Sequence, residues 1–176
     1  MYIGPQGIVH GTTITVLNAC RMLPQPPAPS PGEKGSRRLF VTSGLGGMSG
    51  AQPKAGNIAG VVTIAAEVNA AAAHKRQSQG WVDEVIENVD ACIDAALAWQ
   101  KKGEAHSIAF LGNVVDLWER LAARKIHVDL GSDQTSLHNP WAGGYYPVGL
   151  SYEESNALMV KDPAAFKTRV EESLKR

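Results

Sequence analysis

The chain has 176 residues, 44% hydrophobic and 19% charged, the proportions of an ordinary globular domain able to bury a sizeable core. Lys plus Arg and Asp plus Glu stand at 17 each, so no charge excess draws it to nucleic acid or to an anionic membrane. No apolar run could span a bilayer, the N-terminus lacks the basic-then-apolar order of a signal peptide, and no Cys/His cluster has metal-ligand spacing, which predicts a cytoplasmic protein without a metal site.

The chain opens Met1-Tyr2-Ile3-Gly4-Pro5-Gln6-Gly7, abruptly and as if inside a structured segment, which leads us to expect a fragment of a longer protein. From His10 to Met22 the helical spacing of Ile14, Leu17 and Cys20 predicts a helix packed on a sheet. Cys20 and Cys92 are far apart and each lies among apolar residues of a helix, so two buried free thiols are expected rather than a disulfide. Leu23 to Arg38 holds five prolines between Pro24 and Pro31 and no apolar periodicity. A surface loop is the reading preferred there over a PxxP ligand for another domain.

Leu39 to Pro53, LFVTSGLGGMSGAQP, changes character twice. Leu39, Phe40 and Val41 are strand formers. Gly44, Gly46, Gly47 and Gly50 then tolerate positive φ and leave a bare backbone that a ligand can approach, and Ser49, Gly50 and Ala51 are small enough to let a following helix lie close to the strand. Unpaired N–H groups at that helix's N-terminus suit an anion. The spacing Gly44-x-Gly46-x-x-x-Gly50 is a relative of the dinucleotide fingerprint G-x-G-x-x-G, with Ser49 where its last glycine would stand. Gly60 to Glu67 reads as a second buried strand ending on an acid about 20 positions past the first glycine, where a ribose-binding carboxylate belongs. The plain alternative is a glycine-rich turn with Glu67 as a solvated strand end.

Strands and helices keep alternating after Glu67, as a parallel sheet with crossover helices requires. Asn69 to Gln79 is a helix ended by Gly80, Trp81 to Val85 a short strand or turn, and Val89 to Lys102 an amphipathic helix burying Val89, Cys92, Ala96 and Trp99. Ser107 to Leu111 is a buried strand with a tight exit at Gly112-Asn113. Val114 to Arg124 is a helix turning Val115, Trp118, Leu121 and Ala122 inward, with Asp116, Glu119 and Arg120 on a solvated surface. Lys125 to Leu130 reads as one more strand.

Gly131 to Pro147, GSDQTSLHNPWAGGYYP, is long, polar and aromatic, and it leaves the carboxyl end of a strand, where open α/β sheets bind ligands. Trp141, Tyr145 and Tyr146 can stack on a flat ring. A triad of Asp133, Ser136 and His138 is not expected, because residues two or three apart in one loop rarely reach that geometry. Two helices close the chain, one opened by the capping box Ser151 to Glu154, the other by Asp162-Pro163.

The stretches YIGPQGIVHGT, FVTSGLGGMSGAQPKA, QGWVDEV, GNVVDLWERL, VDLGSDQTSLHNPWAGGYYPVGLS and VEESLKR together resemble the central domain of the urocanase family, over nearly the whole chain except Leu23 to Arg38. The resemblance and the alternating pattern predict an α/β, Rossmann-like three-layer domain with a mostly parallel sheet and flanking helices, spanning residues 1–176 as one unit. The resemblance implies a cytoplasmic, homodimeric hydro-lyase of histidine breakdown that adds water to urocanate to give imidazolonepropionate. It also implies a tightly held NAD that acts as an electrophile and leaves unchanged.

Carried over residue by residue, the family's cofactor contacts fall on Gly47, Met48 and Ser49 for the pyrophosphate and Glu67 for a ribose diol. Asn113 and Val114 follow the third strand, and Gln134, Thr135, Ser136, Leu137 and His138 lie with Tyr145 and Tyr146 around the nicotinamide side. Three positions depart from some members of the family: Ala72 stands where they have an arginine, with Arg76 one helical turn on; Leu111 stands where they have a histidine; Ser49 stands where they have a glycine. The family's catalytic cysteine lies in a C-terminal segment and matches neither Cys20 nor Cys92, so no catalytic residue is expected in this chain and the chain alone is expected to lack turnover. A dehydrogenase domain would also need the glycine turn and Glu67, but with a catalytic His, Lys or Tyr beside them. A non-catalytic dimerisation or binding module would need no cofactor.

Overall fold

The computed structural model describes residues 4–24, 35–133 and 139–176. Along the chain run α1 (Pro5–Met22), β1 (Leu39–Ser43), α2 (Ala51–Ala59), β2 (Val62–Glu67), α3 (Ala70–Ser78), β3 (Glu84–Ile86), α4 (Val89–Lys102), β4 (His106–Leu111), α5 (Val114–Ala123), β5 (Leu130–Gly131), α6 (Tyr152–Lys161) and α7 (Pro163–Lys175). Every strand pairing is parallel, and the sheet order is β3-β4-β2-β1-β5. This is the Rossmann-like, three-layer α/β architecture that the sequence predicts.

Strand side chains alternate between faces, and the register sorts them into two cores. With Leu39 opposite Val62 and Ile64 opposite Ile108, one face carries Leu39, Val41, Val62, Ile64, Ala66, Ile108 and Phe110 against Cys92, Ile93 and Ala96 of α4 and Leu117 and Leu121 of α5. The other face meets α1 through Phe40 and Val16, and α3 through Ala65, Ala109 and Ala73. α2 packs on this second face so closely that a Cβ on Gly56 would lie 2.0 Å from Thr63 Oγ1.

Several expectations need correction. α1 begins at Pro5, five residues before His10, because a proline at the first helical position needs no N–H partner. Cys20 is only half-buried, whereas Cys92 is fully buried, and both are free. Val89 and Trp99 are half-buried rather than core, the Trp99 ring stacking on His106 at 4.1 Å. On α5 the inward stripe is Val114, Leu117, Trp118 and Leu121, a regular i, i+3, i+4, i+7 set, and Ala122 is exposed. The strand expected over Lys125 to Leu130 shrinks to Leu130–Gly131. Lys125 takes φ 54 just after α5, and Asp129 caps the edge of β1 with its side chain, Oδ2 accepting from Leu39 N at 2.8 Å.

At the amino end of the sheet, Asp83 Oδ2 accepts hydrogen bonds from Asn57 Nδ2, Ser107 N and Ser107 Oγ, each at 2.8 Å. Burial pushes the Asp83 carboxyl up, but the hydrogen bonds from Asn57 and Ser107, with the nearby His106, outweigh it and hold the carboxyl below its usual value. A carboxyl lowered by folding stabilises the fold above the ordinary aspartate pKa of about 3.9 and loses that contribution as pH falls through the folded value. The gap in thermal midpoint between wild type and Asp83→Asn is therefore expected to be widest above about pH 5 and to close on acidification. A gap independent of pH would refute this.

Candidate functional site

In the sheet order, β2 lies on one side of β1 and β5 on the other, so the loops leaving β1 and β5 part company at a topological switch point. Crevices of open α/β sheets form there, outside the strands' carboxyl ends. A cavity of about 910 Å³ opens at this place, lined by the ends of β1, β2, β4 and β5, by α1, and by the segment Gly143 to Tyr146.

The glycine turn forms one wall. Gly44, at φ +82, donates to Ala66 O at 2.7 Å, and a Cβ on it would come 2.7 Å from Ser49 Oγ. The chain then coils into α2 before the helix proper begins, Gly50 N donating to Gly46 O at 3.1 Å and Gln52 N to Ser49 O at 3.0 Å. The N–H groups of Gly47, Met48 and Ser49 take no partner among the described residues, and all three residues line the cavity. They are open donors of the turn that leads into α2, next to the helix N-terminus, where partial positive charge gathers.

Glu67, at the end of β2, lines the same cavity and braces the turn. Its Oε2 accepts from Leu45 N at 2.6 Å and its Oε1 from Asn69 N at 2.8 Å. A carboxylate has about four acceptor positions, so two remain for a ligand. The sequence reading leaves Glu67 as a ribose ligand or a solvated strand end; its hold on the turn emerges only from the fold.

Asn113 caps α5, its Oδ1 accepting from Val115 N at 3.0 Å, and its Nδ2 donates to Tyr146 O at 2.9 Å. That bond ties the aromatic segment to the β4–α5 corner, so a second helix N-terminus, at Asn113 and Val114, faces the cavity beside Tyr145 and Tyr146. The Tyr146 ring lies against Tyr152 at 5.3 Å and Phe166 at 6.4 Å, and its hydroxyl donates to Asn156 Oδ1 at 3.0 Å. Burial, reinforced by Tyr152, pushes that phenol up to about 12. Tyr146 is therefore a neutral donor and a wall, not a base.

Of the predicted site residues, Gly47, Met48, Ser49, Glu67, Asn113, Val114, Tyr145 and Tyr146 all line this one cavity. Gln134, Thr135, Ser136, Leu137 and His138 lie outside the described residues, so the rejected triad reduces to Asp133, which accepts from Ser43 Oγ. Sequence reasoning missed a polar knot at the switch point: Thr42 Oγ1 donates to Gln52 Oε1 at 2.6 Å, and Ser132 Oγ joins both at 2.9 and 3.0 Å. It also missed the cavity face of α1, where Ile8, Thr12, Thr15 and Ala19 stand at helical spacing that could have been counted in the sequence.

The Urocanase Rossmann-like domain family model matches residues 4–176. The chain belongs to the urocanase family. It is 53% identical over 176 residues to a probable urocanate hydratase of Caenorhabditis elegans, and 54% and 53% identical over 180 residues to the urocanate hydratases of Mus musculus and Homo sapiens. Each comparison covers 99% of this chain but only 25–26% of the relative, so the chain spans about a quarter of their length. In this urocanase-family chain neither cysteine lines the cavity. Burial pushes the Cys92 thiol up to about 12 and raises that of Cys20, so neither is poised as a thiolate. Among the described residues no group of His, Cys, Asp and Glu could hold a metal ion, and no helix is long and apolar enough to cross a membrane.

Proposed function

We propose that this chain is the NAD-binding portion of a urocanate hydratase, a cytoplasmic homodimer that adds water to urocanate in histidine degradation to give imidazolonepropionate. The observation that carries this reading is the convergence, on one switch-point cavity, of open amide donors at residues 47–49 with a carboxylate at the neighbouring strand end. The donor set fits a dinucleotide. Amide N–H groups and a helix terminus suit its diphosphate, the spare lone pairs of Glu67 suit a ribose diol, and the aromatic wall suits a flat ring.

In this reading Gly47, Met48 and Ser49 hold the diphosphate and Glu67 orients one ribose. Asn113 and Val114 close the β4 side, Tyr145 and Tyr146 shield a ring from water, and Gln134 to His138 complete the nicotinamide side. When bound, NAD⁺ supplies an electrophilic ring to the substrate. The chain's own part is to bind, orient and electrostatically support it. Because neither Cys20 nor Cys92 reaches the cavity, the chain by itself binds cofactor without turning over urocanate.

Calorimetric titration of the purified chain with oxidised NAD tests the reading, after mass spectrometry of denatured protein has checked for cofactor already carried. Saturable heat, or NAD released on denaturation, is the expected result. Neither, in protein whose thermal unfolding is cooperative, would sink the assignment. Loss of urocanate with this chain alone would overturn the view that it lacks turnover.

A further inference from the structure

Arg76 stands on α3 behind the glycine turn. Its Nε donates to Leu45 O at 3.0 Å, its Nη2 to Gly46 O, and its Nη1 to Gln79 Oε1 at 2.8 Å, while the Trp81 ring lies 5.0 Å from the guanidinium carbon. No carboxylate pairs with it among the described residues. A Cβ on Gly50 would lie 2.3 Å from Arg76 Nε, 2.6 Å from Gly46 O and 2.8 Å from Arg76 Cζ, so the guanidinium and the carbonyl it holds together fill the space left by the last glycine of the turn.

A trans peptide is planar, with its C=O and N–H directed to opposite sides. Pulling the carbonyls of Leu45 and Gly46 toward α3 therefore turns the N–H groups of Gly46 and Gly47 the other way. Gly46 and Gly47 line the cavity, whereas Leu45 and Arg76 do not. We propose that Arg76 is a positioning residue for anion recognition: its fork fixes two successive peptide planes so that their N–H groups face the diphosphate, and glycine at position 50 leaves room for the guanidinium and the Gly46 carbonyl it grips. The proposal rests on the dinucleotide reading above. A lysine would keep the charge but not the planar fork that grips two carbonyls at once.

The test compares Arg76→Met, Arg76→Lys and Gly50→Ala, using NAD and inorganic pyrophosphate as ligands and the amide resonances of the chain. Both Arg76 variants are expected to lose about tenfold or more in affinity for each ligand, with shifts concentrated at the Gly46 and Gly47 amides. Gly50→Ala should lose at least as much as Arg76→Met, because its methyl presses on the guanidinium and on Gly46 O at once.

Full affinity in Arg76→Lys would reduce the role to charge and overturn the proposal. So would unchanged binding in Arg76→Met, or shifts spread through β4 and α5, which mark general loss of structure. Wild-type protein that binds pyrophosphate in an Arg76-dependent way but not NAD keeps the clamp and defeats the dinucleotide reading. NAD binding indifferent to Arg76 defeats the clamp alone, and binding of neither ligand defeats both.

Discussion

Glu67→Ala is expected to weaken NAD binding by roughly two orders of magnitude, on the order of 2–4 kcal/mol. Two effects add. The variant removes a charged acceptor from the cavity, and it strands Leu45 N, which now donates to Glu67 Oε2 at 2.6 Å, so the turn that carries the amide donors loosens. The ligands separate these effects. Pyrophosphate has no ribose, so any loss it suffers in Glu67→Ala measures the bracing of the turn, and the extra loss seen with NAD measures the ribose contact. Glu67→Gln should fall between, since one carbonyl oxygen remains to accept while the new NH₂ confronts a backbone N–H. Calorimetry in which Glu67→Ala binds NAD as tightly as wild type would remove Glu67 from the site.

Much of this arrangement was legible in the sequence because its signals are local. Strand formers at Leu39 to Val41, glycines at fixed offsets and Glu67 at the end of the next apolar run each follow from backbone sterics and period-two burial, and the fold sets them side by side. Asn113 was found as a strand exit, but its bond to Tyr146 O links residues 33 apart and could not be read from spacing. The same holds for Arg76: the sequence offers it only as a neighbour, one helical turn on, of the arginine missing at Ala72, while its grip on carbonyls rather than on a ligand depends on how α3 packs. The β5 error has the opposite cause. Ile126, Val128 and Leu130 alternate like a strand, yet left-handed Lys125 and the bond of Asp129 to β1 leave only Leu130–Gly131 in register with Phe40 and Val41. The inward stripe of α5 was countable, yet the sequence reading puts Val115 and Ala122 where the helix turns Val114 and Leu117 inward.

Gly56→Ala should destabilise the fold by about 1–3 kcal/mol, although alanine is the better helix former by roughly 1 kcal/mol. Which effect wins is decided by the contact of α2 with β2. The added Cβ would sit 2.0 Å from Thr63 Oγ1 and 3.3 Å from Val61 Cγ2, and Thr63 is fully buried on a strand held by neighbours on both sides. A β-branched side chain in that setting has little freedom to turn away, so α2 itself must move outward. Relief should come from the strand. Thr63 Oγ1 has no hydrogen-bond partner among the described residues, so Thr63→Ala discards an unsatisfied hydroxyl at little loss and opens the space that the new methyl needs. Thermal unfolding of the double variant Gly56→Ala/Thr63→Ala is then expected close to wild type, with each kcal/mol worth about 2–4 °C in Tm for a domain of this size. Strict additivity of the two changes would show that the methyl and the hydroxyl do not compete for one space. Because α2 begins at the glycine turn, the same displacement should carry the amides of residues 47–49 away from the cavity, so Gly56→Ala should weaken NAD binding as well, and Thr63→Ala should restore stability and affinity together.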